Sequence, residues 1–294
     1  MSFDDRYLKD PACFAENRLC AHSDHIAYAS MEELERGVTS FCMQLNGVWK
    51  FFYALNERQV IPGFERSDYD CRPWADIAVP AHIQLEGYGA PQYVNVQYPW
   101  DGVEEVAVGE APCEHNPVAC YAKYFFLPEH MRGRRVFVRF EGAESCIAVW
   151  LNGQYVGFAA DSFSPAEFEL TPYLAQGENK LACRVYHWNT GSWLEDQDFF
   201  RFSGLFRSVC LFCIPQAHVR DLRIRTLLDD AYADATLKVD VSMALSKGGE
   251  GATLHAALMD GKTVLHTAQG SGETQHFAFP VHAPQLWSCE SPKL

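Results

Sequence analysis

The sequence predicts an all-β fold of two sandwiches in series. Three observations carry this: short apolar runs separated by turn residues, little helical periodicity, and an aromatic content of 14%. Arg135–Phe140 alternates as a half-buried strand does, and Cys146–Leu151 is the uninterrupted apolar run of a strand buried on both faces. Asn152 and Gly153 then form the two-residue turn into Gln154–Phe158, because both central positions of such a hairpin take positive φ. Leu181–Tyr186 and Ser208–Ile214 add further strands, and Met31–Arg36 is the best helix candidate. Near Pro215–Ala217 the aromatics thin out and the strand pattern restarts with Val219–Ile224, followed by Thr236–Met243 and Leu254–Leu258. A turn at Asp260 and Gly261 and strands at Thr263–His266 and His276–Val281 complete the second unit. The expected organisation is an extended amino-terminal segment and a jelly-roll-type sandwich over residues 1–217, then an immunoglobulin-like sandwich over residues 218–294. The latter is expected to be incomplete, since such a sandwich needs about 100 residues and the chain stops after Pro292 with no strand to follow.

A chain of 294 residues has room for about two cores. With 48% hydrophobic and 21% charged residues it is expected to be globular, and no apolar run approaches the ~20 residues of a membrane span. Its 24 basic and 38 acidic residues leave a net charge of −14, which repels phosphate backbones and anionic lipid and argues against nucleic-acid or membrane partners. Met1–Arg6 lacks the basic and apolar regions of a signal peptide, so the expected location is cytoplasmic, with thiols reduced. The 11 cysteines are odd in number, dispersed and mostly set among apolar neighbours, as buried structural cysteines are. Cys210 and Cys213 form a C-x-x-C, but within a strand residues three apart face opposite sides and cannot chelate one ion.

Phosphate-loop, zinc-protease and serine-hydrolase motifs are absent. His22 and His25 lie close in sequence without a third ligand, as expected of a solvated segment. Glu195, Asp196 and Asp198 crowd three carboxylates into one short loop, and they repel one another unless a cation or substrate hydroxyls compensate. On spacing alone an acidic surface loop is the better explanation. Tyr186, His187, Trp188, Trp193, Phe199 and Phe200 surround that loop, and sugar sites combine aromatic faces with carboxylates or amides. Gly87–Trp100 is a second polar and aromatic stretch that reads as a long loop. Composition therefore points no further than a carbohydrate-binding surface.

At these residues the sequence resembles the amino-terminal half of the glycoside hydrolase family 2 β-galactosidases of the lactose-operon type. The resemblance runs through Asn17–Leu19, Leu45–Phe51, Tyr93–Pro99, Asn116 with Pro117, Trp150 with Asn152 and Gly153, and Asp161 with Ser162. It is densest over Leu194–Asp198, Arg201, Ser203 with Gly204, and Phe206 with Arg207. β-Glucuronidases and β-mannosidases share the architecture, but the full Leu194–Asp198 run favours a galactosidase.

The resemblance implies a jelly-roll sugar-binding domain followed by the start of an immunoglobulin-like domain. In the family the acid/base and the nucleophile are glutamates on a (β/α)₈ barrel of about 250 residues, and hydrolysis retains configuration. No catalytic residue is therefore expected in this chain, and Asn56 with Glu57, the one Asn-Glu pair, reads as a polar loop. Asn95 matches a residue that hydrogen-bonds galactosyl hydroxyls, and Asp198 matches one that binds both galactose and a sodium ion. Sodium is thus an expected cofactor, with only part of its site here, and magnesium is expected in the absent barrel. The implied partners are a β-galactoside, that barrel, and further copies of the chain. In tetrameric members a long loop of the second domain reaches across the interface, and here the stretch between Gly270 and Pro284 is shorter. A free-standing lectin-like module is the alternative, since a jelly roll alone would serve it.

Overall fold

The computed structural model describes residues 3–195 and 198–293. In chain order its first strands are β1 (Ala15–Glu16), β2 (Cys42–Gln44), β3 (Gly47–Ala54), β4 (Ala75–Val79), β5 (Gln92–Tyr93), β6 (Val118–Phe126) and β7 (Arg135–Phe140). Next come β8 (Cys146–Leu151), β9 (Gln154–Ala159), β10 (Ala166–Glu169), β11 (Glu178–Tyr186), β12 (Phe200–Arg201) and β13 (Val209–Ile214). The last are β14 (Ala217–Leu228), β15 (Asp234–Leu245), β16 (Thr253–Asp260), β17 (Thr263–Ser271) and β18 (Thr274–His282). The one α-helix described, α1 (Met31–Arg36), starts where the Ser30 side chain accepts from Glu33 N–H and stops at Gly37, whose φ of 65° suits glycine. The fold is all-β, and among the described residues no helix is long and apolar enough to cross a membrane.

Two compact units divide the chain: the described residues up to Ala21 with Ala27–Cys213, and His22–Ile26 with the described residues from Ile214 onward. The first is a jelly-roll sandwich. A seven-stranded sheet, ordered β1-β9-β8-β11-β6-β3-β4, packs against a four-stranded sheet, ordered β10-β7-β13-β2. Trp49, Tyr121, Val149 and Val185 from the large sheet meet Val138, Phe140, Phe168 and Leu211 from the small one in a shared core. The other face of the large sheet is also buried, because Tyr7 from the amino-terminal segment and Phe64 and Cys71 from the loop after β3 cover Cys120, Ala148, Trp150 and Tyr186. β8 is consequently buried at all six positions, which is why its sequence does not alternate.

Lys180 fastens that covering loop. Its side chain is buried, and its ammonium donates to the carbonyls of Phe64 (2.5 Å), Arg66 (3.0 Å) and Tyr69 (2.6 Å). An amine with three donors is fully used there. Glu57, in the polar stretch after β3, is half-buried, and its carboxylate accepts from Arg184 Nη1 at 2.6 Å and from the Tyr186 hydroxyl at 2.9 Å.

The second unit is immunoglobulin-like. A three-stranded sheet, β14-β15-β18, and the hairpin β16-β17 enclose Val241, Phe277 and Phe279. Its strands run longer than the sequence reading gave them, and the β16–β17 turn falls on Gly261 and Lys262, one residue later than expected. The segment with His22 and His25 belongs to this unit: Ser23 N–H donates to Asp221 at 2.7 Å and His25 Nε2 lies 3.1 Å from Val219 O. Backbone and ring bonds thus tie the segment to β14, while Asp24 and Ile26 stay exposed.

Candidate functional site

The loop before β12 and the loop of Gly87–Trp100 are joined by a two-stranded ladder in which Phe200 faces Tyr93 and Arg201 faces Gln92. Sequence spacing alone gives no sign of this pairing. It brings Asp198 beside the loop that carries Asn95: the Tyr93 hydroxyl donates to Asp198 Oδ1 at 2.5 Å, and the Asn95 side chain is close enough to act on the same phenol. The carboxylate accepting from it holds the Tyr93 hydroxyl above its usual range. All three residues are exposed, and Phe200 stands beside Tyr93 with ring centroids 5.7 Å apart. The result is a small open platform with two aromatic rings, a carboxylate and an amide.

The acidic run divides by direction. Glu195 turns inward, where its carboxylate accepts from Ser162 N–H at 3.0 Å and Ser162 Oγ–H at 2.7 Å. Arg201 Nη1 donates to the Glu195 carbonyl at 3.2 Å, and its guanidinium lies 4.9 Å from the Phe199 ring. Glu195 is therefore an anchor of the loop, whereas Asp198 faces outward. Asp196, the remaining acid, lies outside the described residues.

Under this loop is a cavity of about 20 Å³ lined by Glu144, Ser145, Ser162, His187, Glu195 and Arg201 among others. That is room for one water molecule and far too little for a sugar ring. Burial pushes the Glu144 carboxyl up to about 8, the Glu195 charge adds to this and Arg201 opposes it. Burial also lowers His187 to about 3, so its ring is neutral, and its Nε2 has no protein partner. The aromatic surroundings expected from the sequence are mostly core: Tyr186 lies in the layer below the large sheet, and Trp188 is buried against Trp100. Phe200 is the exposed ring among them.

For sodium, the donors at hand are of the right kind, since carboxylate and amide oxygens suit a hard cation. They are too few to enclose one: among the described residues no group of three His, Cys, Asp or Glu side chains could hold a metal ion. The residues thus fit one side of a cation site. Tyr93, Ser162 and Glu144 were not picked out as site residues from the sequence. The aromatic-amide pattern of Tyr93–Pro99 was the available signal for the first and the family match at Asp161 with Ser162 for the second, and nothing in the sequence marks Glu144.

Fold and platform together define no finer class than a jelly-roll sandwich with an open aromatic and carboxylate surface. The family model for the glycosyl hydrolases family 2 sugar binding domain matches residues 42–215, and that for glycosyl hydrolases family 2 matches residues 217–294. The chain belongs to glycosyl hydrolase family 2. It is 46% identical over 292 residues to a β-galactosidase of Halalkalibacterium halodurans, a match that spans 98% of this chain and 29% of that protein. A β-galactosidase of Streptococcus thermophilus is 40% identical, with 98% and 28% covered. The β-galactosidase large subunit of Latilactobacillus sakei is 36% identical, with 98% and 48% covered. The chain thus spans less than half the length of these relatives. Among solved structures, a β-glucuronidase of Bacteroides uniformis superposes with a TM-score of 0.63 at 22% identity, over 85% of this chain and 29% of that one.

Proposed function

We propose that this chain is the non-catalytic, sugar-facing part of a retaining β-galactosidase that hydrolyses terminal β-D-galactosides. Asn95 and Asp198 bind galactosyl hydroxyls, and Asp198 gives one side of a sodium site whose other ligands come from a barrel outside this chain. The hydrogen bond that joins Asp198 to Tyr93, two residues before Asn95, is the observation that supports this most directly. The two residues come from separate loops, and both matter to the family resemblance.

A carboxylate offers about four lone-pair positions, and Tyr93 occupies one of those on Asp198, which leaves acceptors for sugar hydroxyls. The Asn95 amide can donate and accept, as a ring of hydroxyls requires. Tyr93 and Phe200 supply apolar faces for the C–H side of the sugar. Glu195, fixed inward by Ser162, orients the loop without touching the ligand. A bound sodium ion would supply a fixed positive charge for a galactosyl oxygen.

Hydrolysis itself needs two carboxyl groups about 5–5.5 Å apart on opposite sides of the bond. Glu195 and Asp198 sit on one short loop and approach from one side. The chain alone is therefore expected to give no turnover of nitrophenyl β-galactoside, whereas a chimera in which it replaces the matching amino-terminal region of the Halalkalibacterium halodurans relative is expected to be active. Turnover by the chain alone, lost on Asp198→Asn, would overturn the proposal, as would a folded chimera with no activity.

A further inference from the structure

The C-x-x-C of β13 does not act as a pair, because Cys213 enters the core with Met131 and Val136 while Cys210 faces the other way. Cys210 has a different neighbour. In the antiparallel ladder between β13 and β2, Phe212 lies opposite Cys42 and Cys210 opposite Gln44. Directly opposed residues share a face, and so do residues two apart, so Cys42 and Cys210 are diagonal neighbours on the outer face of the small sheet. The two cysteines thus lie beside each other on adjacent strands. β2 is three residues long and lies at the sheet edge, where it can shift to bring the sulfurs to bonding distance.

The surroundings favour a thiolate at Cys42. Arg139 on the neighbouring β7 places its guanidinium 5.2 Å from the Phe212 ring on this face. It is also paired with Glu167 at 2.6 Å and with Glu141 at 3.5 Å, so part of its charge is already answered. The neighbouring Cys210 thiol holds Cys42 below the usual thiol range, Arg139 assists, and burial and Glu141 oppose. Cys42 in turn, together with burial, raises Cys210. Elsewhere burial raises the thiols of Cys113 and Cys213. Cys42 is half-buried and Cys210 is 7% exposed, so one sulfur is open to a reagent and the other is sheltered beside it. An accessible low-pKa thiol next to a second cysteine is the arrangement of a redox-sensitive pair.

We propose that Cys42 and Cys210 form a thiol-modification site that takes low-molecular-weight disulfides of the glutathione type. The Cys42 thiolate attacks one sulfur of the reagent, forming a mixed disulfide and releasing the first glutathione as thiolate. Cys210 loses its proton to solvent and attacks the Cys42 sulfur, expelling the second glutathione. The balance is two protein thiols oxidised to one disulfide and one glutathione disulfide reduced to two thiols. The bridge fastens the edge strand β2 to β13.

The test treats the reduced chain with oxidised glutathione near pH 7.5, blocks the remaining thiols and maps tryptic peptides by mass spectrometry. Residues 37–50 carry Cys42 as their only cysteine, and residues 208–220 carry Cys210 and Cys213. The expected result is a reducible link between these peptides, located to Cys210 by fragmentation. Cys213→Ser should keep it, and Cys210→Ser should leave a glutathione adduct on Cys42. Oxidation confined to the exposed Cys20, Cys113 and Cys289, or a bridge between Cys210 and Cys213, would overturn the proposal.

Discussion

Glu144 is a carboxyl with a proton to lose inside the folded range of pH. An exposed glutamate ionises near the ordinary value of 4.5, and here the group is pushed up to about 8. Between those values the unfolded chain has lost a proton that the folded chain keeps, so stability contributed by Glu144 is complete below about 4.5 and declines as pH rises towards 8. His187 acts in the opposite sense. Its ring falls from 6.5 to about 3, so the unfolded chain holds the extra proton in that interval and stability rises with pH across it. The two oppose each other from about 4.5 to 6.5, and above that His187 no longer offsets the fall from Glu144. Glu195, also raised by burial, adds to the fall, while His82, whose Nδ1 lies 3.8 Å from Glu144, is lowered by burial. Urea denaturation as a function of pH should therefore show stability falling between pH 6.5 and 8, by no more than about 1.4 kcal/mol per unit from one group. Glu144→Gln should flatten this fall, and an unchanged slope would count against the assignment. None of this was legible in the sequence, because Glu144 follows an unremarkable strand and becomes unusual only where the chain around 195 covers it.

The hairpin of β8 and β9 is the element whose sequence spoke most clearly. Asn152 and Gly153 take φ of 51° and 80°, as a two-residue turn with right-handed strand twist demands. The turn is also tied to its surroundings: Asn152 Nδ2 donates to Tyr173 O at 2.9 Å and to Asn179 Oδ1 at 2.8 Å, and its Oδ1 accepts from Lys180 N–H at 2.9 Å. A Cβ added at Gly153 would stand 3.1 Å from Ser67 N and 3.2 Å from Arg66 Cα. Gly153→Ala should thus lower stability by about 1–3 kcal/mol through strained φ and this crowding, read as a lower urea midpoint, and a midpoint equal to wild type would contradict it. α1 was also legible, as the segment Met31–Arg36, and the structure adds its caps at Ser30 and Gly37. The β5–β12 ladder was not, since two-residue strands carry no period and only their partners define them. The second unit's strands were read short as well, since the outer half of β14 is exposed and carries no buried face to set a period.

At the scale of the whole molecule, the order of two β units and their all-β class followed from turn chemistry and apolar runs, while the role of the platform came only with the family. Composition could not tell an acidic surface loop from a ligand loop. The structure separates the run physically, with Glu195 committed to Ser162 and Asp198 held outward by Tyr93. The central claim is that the outward carboxylate serves the sugar and the cation. Asn at this position keeps the size but removes the charge, and a neutral amide oxygen accepts hydrogen bonds and holds a hard cation less well. The most direct measurement is sodium activation of nitrophenyl β-galactoside hydrolysis by the chimera carrying Asp198→Asn, beside Asp196→Asn as an equal loss of charge from the same run. The account predicts that Asp198→Asn weakens sodium activation and lowers kcat/KM by more than the roughly 10-fold of one neutral hydrogen bond, with Asp196→Asn close to the parent. Equal effects of the two substitutions, or unchanged sodium activation in Asp198→Asn, would contradict it.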